Sequence, residues 1–192
     1  MPNVKLQVPY FAQCDNEGWA ESDGYMVTGN VQCAATSNAM LAAFKLPGFL
    51  SASVYYEEPE SYYKAVFTGL GYSAEDRGNH DAHTECLAKL GLKTRWRTDL
   101  DRNAISTSLC AEFPVVAGFE YKAAGHICVI VGETKTGYLV HDPYGLRSGA
   151  RDEYSYINPG FGDTSGSFDL FSWANLEVTF FAGGGGWGRV AA

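Results

Sequence analysis

Hydrophobic and polar positions divide the chain into helical stretches before residue 112 and strand-like stretches after it. After residue 32, Cys33, Ser37, Met40, Leu41 and Phe44 fall on one face of a short, Ala-rich predicted helix. Asn30 is its expected N-cap, and Pro47-Gly48 ends the helical region. Pro59-Glu60 opens a second helix through Tyr62, Ala65, Val66 and Leu70, closed by Gly71. A third is predicted over 81–90 with Gly91 as its C′ residue. A fourth covers 99–112, with Ile105 and Leu109 on one face and Pro114 as the stop.

Residues 5–11 alternate briefly as an edge strand broken by Pro9. Further strands are expected over 93–96 and 114–119, then over 126–131 and 138–142. The last two flank a turn at 132–137, so they read as a hairpin. A final strand is predicted over 178–181. Residues 15–29 read as a surface loop, and the Gly-, Ser- and Asp-rich stretch 145–169 as a long loop. Four glycines from Gly183 to Gly186 predict a flexible tail over 183–192, after a single domain over 1–182. The predicted class is α+β, a helix packed on an antiparallel sheet.

Composition narrows the function classes. Of 192 residues, 46% are hydrophobic and 19% charged, which is a globular balance. A net charge of −8 argues against nucleic acid as a partner. No apolar run is long enough to span a membrane, so no membrane partner is expected. Five cysteines, at 14, 33, 86, 110 and 128, are odd in number and widely spaced. They read as reduced thiols of a monomer made in the cytoplasm without a signal peptide.

The candidate chemistry begins at Cys33. A cysteine at a helix start lies beside the positive end of the helix dipole, which favours thiolate. The bland alternative is a small buried hydrophobe. Reflecting His126 across the hairpin turn lands near 142–143, making Asp142 its expected cross-strand neighbour, while His141 points to the opposite face. A His–carboxylate pair fixes the imidazole tautomer and supports it as a base, although an incidental surface ion pair would look the same. Gln13 and Gln32 are the two candidate oxyanion donors. Gln13 is favoured, with the backbone N–H of Cys33 as the second donor.

Other groups carry less. His80, His83 and Cys86 have metal-like spacing but read as exposed helix residues, and no metal or cofactor is expected. Cys128 reads as a core thiol. Tyr10, Trp19, Tyr25 and Trp173 line a substrate groove or belong to the core.

Four stretches then carry a resemblance: Val8-Pro9-Tyr10-Phe11-Ala12-Gln13; Cys33-Ala34-Ala35-Thr36-Ser37-Asn38-Ala39-Met40; Gly125-His126-Ile127; and His141-Asp142-Pro143-Tyr144-Gly145. In this order the chain resembles the papain-fold cysteine peptidases related to the double-glycine, bacteriocin-leader-processing enzymes. The resemblance implies Gln13 as oxyanion-hole amide, Cys33 as nucleophile, His126 as base and Asp142 as orienter. The stretch from Gln13 to Cys33 is longer than in the double-glycine peptidases, and no transporter domain follows. The likeness is therefore to stand-alone relatives, among them cell-wall hydrolases and phage proteins. The expected activity is a cysteine peptidase or amidase acting on the stem peptide of peptidoglycan, as a phage endolysin or a virion-associated protein. The alternatives are a protein- or leader-peptide-processing peptidase, a transglutaminase-like acyl transferase, and an inactive binding module on the same scaffold.

Overall fold

A computed structural model describes residues 4–15, 31–120, 125–145 and 165–192. The expected cap Asn30, the candidates Trp19 and Tyr25, and most of the two long loops lie outside these residues. Helix α1 (Cys33–Lys45) begins two residues later than a cap at Asn30 would place it, and Ala34 through Ala42 are all buried. Its small side chains let it lie close against the sheet, on strand β4 (His126–Glu133). Helices α2 (Phe49–Ser53) and α3 (Pro59–Gly69) pack beside it. Pro59 sits in the first turn of α3, where its missing N–H is no loss.

A 3-10 helix at Ala74–Gly78 leads into α4 (His80–Lys89), whose first N–H groups are capped by the Asn79 side chain. Strand β2 (Thr94–Leu100) and helix α5 (Arg102–Cys110) follow; Asp101 caps α5 through Ala104 N–H. Strand β3 (Val115–Phe119) and β4 form the buried centre of the sheet, with β5 (Gly137–His141) and β6 (Asp169–Ser172) beyond them. Helix α6 (Trp173–Thr179) and strand β7 (Gly186–Ala191) complete the described chain. The antiparallel order is β2-β7-β3-β4-β5-β6, and the short β1 (Val4–Lys5) pairs with β4 at Glu133 and Gly132. Among the described residues, no helix is long and apolar enough to cross a membrane.

Three expectations are corrected. The strand expected over 178–181 is instead the last residues of α6 and the turn after it; Ser172 caps the start of this helix by accepting from Asn175 N–H, and Leu176 is buried in the core. The far end of the expected 145–169 loop enters β6, which pairs along β5. The expected flexible tail over 183–192 contains β7, an interior strand held between β2 and β3. Its glycines serve close approach: a Cβ on Gly186 would lie 2.1 Å from the Phe180 ring. Arg189 on β7 is fully buried and donates to Thr84 and Thr94 hydroxyls and to the His80 carbonyl, tying α4 to the sheet.

The hairpin is also built differently from its expected register. Glu133 pairs with Tyr138, with the turn at 134–136, but Ile130 pairs with Val140, so Val131 is an extra residue. Leu6 N–H donates to the Val131 carbonyl.

Deleting residues 183–192 should remove cooperative unfolding altogether, because losing an interior strand exceeds a typical net stability of about 5–15 kcal/mol. Thermal melts followed by near-ultraviolet circular dichroism check this; a melt like the full chain's would restore the tail reading.

Candidate active site

Cys33 is the first residue of α1, and Gln32 occupies the cap position without a side-chain cap bond. One turn on, the Ser37 hydroxyl donates to the Ile127 carbonyl at 3.0 Å. That bond fixes the start of α1 against the first residues of β4, where His126 stands.

His126 and Asp142 meet as expected, with Nε2 to Oδ1 at 2.7 Å and Asp142 fully buried. A carboxylate oxygen here accepts, so Nε2 carries the proton and Nδ1 is the ring nitrogen left for the thiols. The same Oδ1 accepts from Tyr144 N–H at 2.9 Å. The Asp142 backbone is held too: its N–H donates to Gly166 and its carbonyl accepts from Tyr10 Oη. Tyr10 is thus a brace behind the pair. His141 faces away, as expected, with Nε2 donating to the Val8 carbonyl and Nδ1 accepting from Phe168 N–H. Burial pushes it down to about 4, so it is neutral.

Three cysteines feel the His126 charge, and their environments separate them. Burial raises the Cys33 thiol, but the hydrogen bond and charge of His126, with backbone at Ile127 and Ala34, outweigh it and bring Cys33 below the ordinary thiol value. Burial, with the Asp142 charge added, pushes Cys128 up to about 12. Cys14 rises to about 11 through burial and Asp15. Burial opposes charge on His126, yet the Asp142 carboxylate, through its charge and its hydrogen bond, carries it well above the ordinary histidine range. A lowered thiol beside a raised imidazole is the setting for a thiolate–imidazolium pair. Cys128 is fully buried, in line with a core thiol.

Gln13 and Gln32 are both fully buried but differ in what they face. Gln32 Nε2 donates to the Gln13 carbonyl at 3.1 Å, and its Oε1 accepts from Lys64 Nζ. Gln32 is therefore turned inward, away from the thiol. Gln13 N–H donates to the Pro143 carbonyl at 2.7 Å, which ties it to the residue after Asp142.

A cavity of about 400 Å³ opens beside Cys33 and His126. Glu75, Arg77 and Gly78 of the 3-10 helix line it together with His80, Gly125 and Trp187. The Trp187 indole lies on Gly118, where a Cβ would come within 2.5 Å of it. His80 stacks on Trp96 at 3.5 Å, and both meet Trp187 edge-on. Trp187 escaped the sequence reading because it lies in the stretch taken as a tail; alternation of Trp187, Arg189 and Ala191 was the signal available. Trp173 is not among the cavity residues; it packs on Tyr138 and donates to the Lys135 carbonyl.

The expected exposure of the His83–Cys86 stretch is corrected. His83 is buried between Tyr63 Oη and the Arg77 carbonyl, and Cys86 is buried against the Tyr63 carbonyl. Among the described residues, the only trio with metal-ligand atoms close together is His126, Cys128 and Asp142, within 4.8 Å. Two of its members already satisfy each other, and it shares its ring with the Cys33 site.

A model of the Peptidase_C39 like family matches residues 5–174. No curated protein matches the chain. Among solved structures, it is similar to the crystal structure of a double glycine motif protease from an AMS/PCAT transporter in complex with the leader peptide. The TM-score is 0.57 at 12% identity, over 99% of this chain and 96% of that one, a likeness of fold. With the family match running through most of the chain, from β1 past β6, the chain belongs to the Peptidase_C39 like family of papain-fold cysteine peptidases.

Proposed function

We propose that this peptidase cleaves a peptide bond in a polypeptide segment through a thioester acyl-enzyme, with Cys33 as nucleophile. The observation that carries the assignment is the separation of the three thiols around His126: only Cys33 is drawn below the ordinary value, and it lines the cavity. The Cys33 thiolate attacks the scissile carbonyl carbon, and the negative charge moves to the carbonyl oxygen. The Gln13 amide and the Cys33 backbone N–H receive that charge. As the C–N bond breaks, imidazolium His126 gives its Nδ1 proton to the leaving amine. A water, deprotonated by His126, then hydrolyses the thioester and returns carboxylic acid and free enzyme. Asp142 holds Nε2–H throughout and remains a carboxylate.

The cavity supports an extended peptide as substrate. Trp187 and His80 offer an aromatic wall, Glu75 and Arg77 a polar one, and Gly78 and Gly125 leave room for backbone beside the thiol. The likeness to a protease seen with a leader peptide supports a processing role. The peptidoglycan substrate expected from the stand-alone relatives draws no support from the cavity or from that likeness, and processing of a polypeptide is the reading kept.

Incubation with a peptide library rich in Gly-Gly and Ala-Gly junctions, analysed by mass spectrometry, tests the substrate. The wild type should cleave a subset, while Cys33→Ala should lose turnover with Tm within about 2 °C, as expected when little packing is lost. Release of amino groups from purified sacculi, with every peptide left intact, would reverse the choice of substrate.

Asp142→Asn should lower kcat by about 100-fold or more with KM nearly unchanged, because the imidazole loses the partner that fixes its tautomer. Steady-state kinetics check this; a fall confined to KM would assign Asp142 to binding.

The pH behaviour follows from the two shifts. Cys33 deprotonates below the ordinary thiol range, and His126 keeps its proton above the ordinary imidazole range, so the pair exists in the window between. Iodoacetamide should therefore label Cys33 at about pH 6.5, and His126→Ala should slow that labelling by roughly 10–100-fold as the thiol returns to an ordinary value. Equal rates in the two proteins at that pH would remove His126 from the pair.

A further inference from the structure

Gln32 lies next to the nucleophile in sequence, yet its carboxamide points into the protein. Its Nε2 reaches the Gln13 carbonyl at 3.1 Å and its Oε1 meets Lys64 Nζ at 2.5 Å. The amide cannot be reversed without loss, since a lysine ammonium only donates and a main-chain carbonyl only accepts. Lys64 itself is buried on α3, one turn after the buried Glu60; burial pushes the Glu60 carboxyl up to about 8 and the Lys64 ammonium down to about 8. From the other side, the Gln13 N–H is held by the Pro143 carbonyl at 2.7 Å. Residue 13 is thus gripped at both backbone polar groups by neighbours of the site: the residue before Cys33 and the residue after Asp142.

We infer that Gln32 and Lys64 are positioning residues that set the Gln13 amide at the oxyanion, with Lys64 orienting Gln32 and Gln32 holding the Gln13 backbone. This rests on the role proposed above for Gln13. Residue 13 comes from a segment separated from α1 by nineteen positions of chain, so nothing local fixes its distance from the thiol. The Gln32–Gln13 bond supplies that distance, and displacement by a fraction of an ångström weakens a preorganised donor.

Two reagents at Cys33 separate positioning from nucleophile strength. Acylation by p-nitrophenyl acetate develops an oxyanion; alkylation by iodoacetamide does not. Gln32→Glu keeps the size and the Lys64 contact but removes the donor to Gln13, and Lys64→Met keeps the apolar stem. With mass spectrometry locating the adduct, Gln32→Glu should slow acylation of Cys33 by about tenfold and Lys64→Met by about threefold, while alkylation stays within about twofold. In a Gln13→Ala background, Gln32→Glu should add less than about twofold, since the residue it acts through is gone.

Effects that multiply in the double variant, alkylation falling in step with acylation, or wild-type acylation in both single variants would each overturn the inference. If Gln32→Glu does not fold, Lys64→Met decides by the same ratio. Failure of the proposed substrate looks different: Cys33 is acylated with the expected ratios while no library peptide is cut. If Gln13→Ala itself leaves acylation unchanged, the role of Gln13 falls and this inference with it.

Discussion

The Asp142 carboxylate has no exposure to solvent, and a charge so placed is tolerated only when paired and hydrogen-bonded. His126 Nε2–H and Tyr144 N–H supply that pairing at 2.7 and 2.9 Å, both on Oδ1. Much of the surrounding structure follows from keeping the pair together. The Asp142 backbone is pinned by Gly166 and Tyr10, and the next residue, Pro143, receives the Gln13 N–H. The hairpin that carries both partners is paired on both sides, by β3 and β6, so the sheet cannot relax around them. In the opposite direction, the Ser37–Ile127 bond brings the helix start to the imidazole rather than leaving it to side-chain reach alone.

One imidazole then gives three thiols three different chemistries. Cys128 continues the β4 register to the position facing Asp142, so burial and a nearby carboxylate both hold it protonated. Cys14 is half-buried beside Asp15, with the same sign of effect. Burial also opposes the Cys33 thiolate, but the hydrogen bond and charge of His126, with backbone at Ile127 and Ala34, outweigh it. Which thiol is drawn below its ordinary value is therefore a matter of local field, which is why the number of cysteines says little about it.

The aromatic wall of the cavity shows how distant segments are recruited to a site. Arg189 has no exposed surface, and its two terminal nitrogens donate to hydroxyl and carbonyl oxygens of α4 and β2. It locks His80 and Trp96 into register with Trp187, two residues before it on β7. Strand β7 thereby furnishes part of the lining of a cavity to which the 3-10 helix also contributes.

The sequence by itself determined α1 and the hairpin, because helix and strand periods of 3.6 and 2 are local properties, and the hairpin pointed to His126 and Asp142 as neighbours. It also supplied Cys33 and Gln13 in an order that marks the family. The hairpin register expected from the turn is nevertheless corrected by the fold. Continuing the pairing of Glu133 with Tyr138 without interruption would put His126 on the face of His141. The extra residue at Val131, whose carbonyl is taken by Leu6 N–H, turns the strand so that Asp142 shares that face instead. Glycines at 183–186 looked like freedom, yet Gly186 is required by the Phe180 ring against which it packs. The direction of the Gln32 amide was likewise open until Lys64, thirty-two residues away, fixed it. Each of these was settled by a partner remote in sequence, and no periodicity within one segment encodes such a partner.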